Sequence, residues 1–187
     1  MPNAPEIYVA ADIEADGPIP GAYSMISLGL AAVGFPDRTF YTELKPISAD
    51  FVPAALAVSG LDRERLKREA PDARSAMKGA AEWIDSLSDL GKPVLVAAPA
   101  VFDGMFLHWY FIRFVGRSPF AVNGAGIDLR SFWMGATGSS WVATGRTAIQ
   151  QALGIRGLRH THHALDDARE LAEIFQAALR ERGGKAL

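Results

Sequence analysis

The sequence predicts an α/β domain built around a mixed sheet. Three β-like segments follow one another near the start of the chain, each ended by turn-forming residues. Helical segments come next, and a short, wholly apolar strand is set between two of them. Strands joined by hairpins pair antiparallel, whereas strands joined through helices pair parallel, so the two halves together predict a mixed sheet flanked by helices, and five strands are expected, one more than the four legible segments.

The elements follow in order. Residues 7–14 are β-like by residue type, with their carboxylates at the end. Asp16-Gly17-Pro18-Ile19-Pro20-Gly21 is a loop by composition. Residues 23–33 and 39–44 are the next strands, joined by the hairpin signal Gly34-Phe35-Pro36-Asp37. Pro46 ends the third strand, and Pro53 suits the first turn of a helix running on through Val58. Residues 61–69 are almost all charged and predict a solvent-facing helix. Asp72 starts a helix to about Leu87, with Ala76, Ala80, Trp83 and Leu87 near helical spacing; Gly91 and Pro93 stop it. Residues 94–98 are the apolar strand, parallel to the first and of the type buried on both faces. An aromatic-rich helix spans 103–115, and a last helix spans 163–182. Residues 116–157, rich in Gly and Ser, carry only weak signals.

Composition narrows the function classes. With 187 residues the chain predicts a single domain, 1–187, long enough to bury a core without a staple. There is no cysteine, which excludes disulfide frameworks, zinc ribbons, iron–sulfur sites and thiol catalysis. The 19 basic and 21 acidic residues give a net charge of -2, which excludes a polycationic coat but allows a local basic rim. Arg113, Arg117, Arg130, Arg146, Arg156 and Arg159 are candidates for that rim. The first residues carry no basic run, and the most apolar windows fall short of the ~20 residues of a membrane span, so a cytoplasmic protein away from membranes is expected.

Three acidic sites stand out. In Asp12-Ile13-Glu14 the two-residue period of a strand puts both carboxylates on one face. Two such groups resist burial unless a cation neutralises them, and hard oxygen ligands suit Mg²⁺ or Mn²⁺. Asp103 follows the apolar strand, either at a ligand site beyond the strand's carboxyl end or as a helix cap. Near the C-terminus, His162-His163-Ala164-Leu165-Asp166-Asp167 opens the last helix. Helical phase puts Asp166 with Arg169, Glu170 and Glu173 on a solvated face, and Asp167 with Leu171, Ile174 and Ala178 on the core side.

Taken together, D-x-E, a later Phe-Asp and a terminal H-x(4)-D resemble the DEDDh branch of the DnaQ-like 3′-5′ exonucleases, in the ribonuclease H-like superfamily. The matching residues are Asp12, Glu14, Asp103, His162 and Asp167. Phe40, Pro46, Ser59-Gly60-Leu61 and Phe106-Leu107 agree with less diagnostic positions, and the resemblance spans residues 7 to about 179. Ala15-Asp16-Gly17 and Ala98-Pro99-Ala100 depart from the family's common Thr-Thr-Gly and His-Asn-Ala.

The resemblance implies a ribonuclease H-like fold and a metal-dependent exonuclease acting on single-stranded RNA or DNA 3′ ends. It implies two divalent ions, Mg²⁺ or Mn²⁺, held by Asp12, Glu14, Asp103 and Asp167, with His162 as general base and nucleoside 5′-monophosphates as products. The backbone of Ala15, Asp16 and Gly17 is expected to receive the terminal nucleotide. Phe106 and Trp109 share a helix face with Asp103 and are candidates for base stacking, the alternative being core aromatics. Chain size favours RNA, as in stand-alone exoribonucleases. The alternatives are a proofreading-like exodeoxyribonuclease and an inactive nucleic-acid-binding protein on the same fold. The aromatic stretch 109–114 holds more apolar surface than one helix face buries, which suggests a homodimer.

Overall fold

The computed structural model describes residues 5–121 and 124–183. Its strands are β1 (Glu6–Ala15), β2 (Met25–Ala32), β3 (Thr39–Glu43), β4 (Lys92–Ala97) and β5 (Ile127–Asp128). They form one sheet in the order β3-β2-β1-β4-β5. The two hairpin pairs are antiparallel and β4 is parallel to β1, as predicted, while β5, where no strand was read, pairs parallel with β4. The helices are α1 (Pro53–Ser59), α2 (Arg63–Glu69), α3 (Ala73–Asp85), α4 (Ala100–Phe114), α5 (Leu129–Thr137), α6 (Arg146–Ala152) and α7 (Ala164–Gly183), with a 3₁₀ turn over Trp141–Thr144. Thus the Gly/Ser-rich stretch without clear periodicity holds β5, α5, the 3₁₀ turn and α6. No helix among the described residues is long and apolar enough to cross a membrane.

β1 lies at the centre of the sheet, and its side chains sort by the two-residue period. Val9, Ala11, Ile13 and Ala15 join the core beneath α3 and α4, where Met77, Phe106, Tyr110 and Phe111 pack. Ala10 joins the opposite core with Leu171, Ile174 and Phe175 of α7. Asp12 and Glu14 follow Ala10 on that second face, so strand phase alone aims them at α7.

β2 brings the start of α7 close to them. Gly29 pairs with Asp12, and a Cβ at Gly29 would lie 2.2 Å from the carbonyl oxygen of Ala164. Only a residue without a side chain lets the first turn of α7 rest on the strand backbone at this point.

One expectation is corrected: α2 is not wholly solvent-facing, because Arg63 and Leu66 are buried. In α4, Trp109 packs edge-on against Tyr110 and Phe114, and Phe111 against Phe120, whereas Ile112 stays exposed. Tyr110 also accepts a hydrogen bond from Met25 N at 2.8 Å.

Candidate active site

Parallel pairing of β1 with β4 ends at Ala10–Val96, whereas β1 itself runs on to Ala15. The unpaired side of β1 leaves backbone groups that need partners. Asp103 supplies one, its Oδ1 accepting from Ile13 N at 3.2 Å. Asp103 lies inside the first turn of α4, not at its cap. Asp128, at the end of β5, accepts from Ala100 N at 3.0 Å and takes the capping role from across the sheet. Asp103 is thereby freed to face β1.

Asp12, Glu14, Asp103 and His162 line a cleft of about 170 Å³ with Ile13, Ala98, Pro99, Phe102 and His160. Carboxylate oxygens of Asp12, Glu14 and Asp167 lie within 4.8 Å of one another. The five residues matched to the exonuclease pattern therefore converge on one place. Asp167 is fully buried and its charge is met by local donors. Thr161 N donates to one oxygen at 2.7 Å and His162 N to the other at 2.8 Å. That second bond pins His162 at φ 59, a left-handed conformation uncommon for a residue with a side chain.

Charge is badly balanced here. Burial, then Asp103, Asp167 and Glu14, push the Asp12 carboxyl well above its ordinary range. Burial, then the charges of Asp167 and Asp103, push Glu14 up to about 7. Asp103 is also raised, by burial above all, against the lowering effect of its Ile13 hydrogen bond and of Arg146. Arg146 is the nearby cation, but its Nη1 is 2.7 Å from Glu170 and its Nη2 donates to Ala98 O. A buried, all-oxygen set with surplus negative charge fits a hard divalent cation and fits a soft metal poorly.

Residues outside the pattern complete the site. His160 Nδ1 lies 3.0 Å from Asp167 and 2.8 Å from Arg146, and its ring meets that of His162 edge-on. The alternation His160-Thr161-His162 was the available signal for it. Glu170, expected on the solvated face, is buried between Arg146 and Gln150. Arg146 is accordingly a half-buried brace between Glu170, His160 and Ala98. Arg117 is paired with Asp85. His163 turns away, stacked on Tyr41 and 3.3 Å from Asp166.

The expected substrate contacts are corrected. Ala15, Asp16 and Gly17 are buried. Asp16 N donates to Ser24 O, Asp16 O accepts from Val52 N, and its carboxylate binds Arg63 at 2.9 Å. A Cβ at Gly17 would strike the Tyr23 ring. These contacts tie Asp16 and Gly17 into a structural corner, with Ala15 buried beside them. Phe106 is fully buried between Phe102 and Tyr110 and cannot stack on a base. Trp109 packs on the core and lies under Gly21, so it props the 16–21 loop. Phe102 is the aromatic side chain that lines the cleft.

No family model matches the chain. It is 39% identical over 172 residues to the 3′-5′ DNA exonuclease Cap18 of Escherichia coli, covering 91% of this chain and 90% of that protein. Its fold matches the nuclease domain of 3′hExo, a DEDDh family member bound to rAMP, with a TM-score of 0.75 at 18% identity, covering 93% of this chain and 92% of that one. It also matches E. coli exonuclease I in complex with a dT13 oligonucleotide, with a TM-score of 0.64 at 17% identity, over 91% of this chain and 40% of that one. A relative this similar over nearly the whole length of both proteins settles the lineage that the carboxylates and histidine pointed to: the chain belongs to the DEDDh family of metal-dependent 3′-5′ exonucleases.

Proposed function

We propose that this enzyme trims single-stranded DNA from its 3′ end, one nucleoside 5′-monophosphate at a time, using two divalent ions. The observation that carries the substrate is the relative at 39% identity, a DNA exonuclease. Chain size is the only feature of the sequence that favours RNA, and it weighs less than that relative.

In this reading Asp12, Glu14 and Asp167 hold one Mg²⁺ or Mn²⁺ ion, and Asp12 with Asp103 holds the second. What the ions supply when bound is Lewis acidity at the attacking water and at the leaving 3′ oxygen. The protein does the rest. The unpaired end of β1 presents Asp12 and Glu14 to the cleft in a fixed register. Asp167 is oriented by the backbone N–H groups of Thr161 and His162, one on each carboxylate oxygen. His162, pinned through its own N–H to Asp167, accepts the proton of the attacking water on its imidazole and later returns it to solvent. Phe102 and Pro99 wall the cleft.

The test is a panel of end-labelled single- and double-stranded DNA and RNA in Mg²⁺, with products resolved by length, run beside Asp12→Ala. Stepwise shortening of single-stranded DNA from the 3′ end is expected. Faster loss of RNA, or internal cuts, would overturn the reading.

A further inference from the structure

Arg130 and Trp141 form a feature that the catalytic site does not use. Trp141 opens the 3₁₀ turn with 48% of its surface exposed, and Val142 beside it is 90% exposed. Trp141 and Val142 together present adjoining apolar surface to solvent. The guanidinium of Arg130 lies over the indole, 4.2 Å from the ring centroid. Arg130 is locked there: its Nε donates to Thr144 Oγ1 at 3.2 Å and its Nη2 to Trp141 O at 3.1 Å. Among the described residues no carboxylate pairs with Arg130, so its charge is still to be met.

The pair stands at the catalytic end of the sheet. Arg130 follows Asp128 by two residues, and Asp128 pairs with Ala97 and caps α4. Trp141 precedes Arg146 by five residues, and Arg146 is fixed to Ala98 beside the cleft. Five residues span at most roughly 18 Å, the length of about five stacked nucleotides of one strand.

We propose that Trp141 and Arg130 are a stacking platform for single-stranded nucleic acid upstream of the 3′ end held in the cleft. The inference rests on the exonuclease reading and extends it to where the rest of the strand goes. A base stacks on the exposed indole and Arg130 meets an adjacent phosphate. An indole face accepts any base, so the platform contributes grip without sequence preference.

The experiment compares kcat/KM on a strand of about twelve nucleotides with that on a dinucleotide, for the parent, Trp141→Ala, Trp141→Phe and Arg130→Gln. Anisotropy of the labelled longer strand is measured in EDTA alongside. For Trp141→Ala the long-to-short ratio falls, and the Kd in EDTA rises, by ~5- to 100-fold, the worth of one base stacked on an aromatic ring. Trp141→Phe recovers most of both. For Arg130→Gln the slope of log K against log salt shrinks by ~0.7, as for one lost phosphate on a single strand. Equal losses on both substrate lengths would show that the pair only braces Arg146, and would overturn the proposal, as would an unchanged ratio and Kd. Should the parent degrade RNA and spare DNA, the DNA reading falls, yet the same ratio measured on RNA still decides the platform.

Discussion

Asp16 and the cluster of Asp12, Glu14, Asp103 and Asp167 are buried to a similar degree, but among the described residues only Asp16 has a guanidinium of its own. Arg63 meets Asp16 at 2.9 Å, Ser24 N donates to its other oxygen, and the guanidinium also reaches Ser48 O and lies over Phe51. Every charge there is answered from within the chain. Two and four residues earlier, on β1, Glu14 and Asp12 face two further carboxylates, and the nearby cation Arg146 is engaged by Glu170. A buried charge must be paired or must lose its proton balance. The first region is complete as folded, and the second is completed by something from outside. In the proposed reading, this difference separates a structural aspartate from metal-binding ones where burial alone cannot.

The largest expected effect breaks the second region. Asp12→Ala should cost at least ~10³-fold in turnover, since several kcal/mol of charge stabilisation at the phosphate depend on it. In EDTA the same variant should melt higher than the parent, because one member of a repelling set is gone. A lower melting temperature without metal would mean that the carboxylate is structural, and the contrast with Asp16 would collapse.

Next comes the histidine pair. His162→Ala should lower kcat by ~10²–10⁴-fold, the worth of a positioned general base. The loss should narrow as pH rises and hydroxide substitutes for the base. His163, stacked on Tyr41 and beside Asp166, should tolerate Ala within about tenfold. Pre-steady-state rates of both variants across pH decide this, and equal losses would mean the roles are misassigned.

The first region gives the stability counterpart. Arg63→Met strands a fully buried carboxylate, which should cost ~3–5 kcal/mol in urea melts, alike with and without Mg²⁺. Asp16→Asn together with Arg63→Met should recover part of that loss. If Arg63→Met changed the Mg²⁺ requirement instead, Asp16 would belong to the metal site after all.

Much of this contrast was legible in the sequence, and the missing parts share a cause. Strand phase placed Asp12 and Glu14 on one face, and helical phase placed Asp167 inward and Asp166 outward, because both periods are local. Arg63 was read as solvent-facing, since its partner Asp16 lies 47 residues away and no local pattern marks the pair. The start of α4 was placed three residues late, because its cap comes from Asp128, 28 residues further on. Gly29 drew no attention, as the close approach it permits depends on a helix that begins 135 residues later. The matched motif located the chemistry, but it did not say which neighbouring polar groups hold the frame. That is why Asp16 was taken for part of the nucleotide site and Glu170 for surface.

The smallest effect is the most direct comparison of folded and unfolded charge. Glu14 is held at about 7 in the fold against an ordinary 4.5, and Asp12 and Asp103 are raised as well. Across that window the folded state keeps protons that the unfolded chain has released. Stability therefore falls as pH rises through it, since the slope has the sign of protons bound unfolded minus folded. In EDTA the melting temperature should be higher near pH 5 than near pH 8. Saturating Mg²⁺ should flatten or reverse the trend, because bound metal requires the carboxylates ionised and releases those protons. Asp12→Ala should weaken the slope in EDTA, because one of the raised carboxyls is gone. Melting curves of parent and variant over this range, with and without metal, measure all three. A metal-free protein that becomes steadily more stable from pH 5 to pH 8 would mean that the cluster is neutralised from within, as Asp16 is.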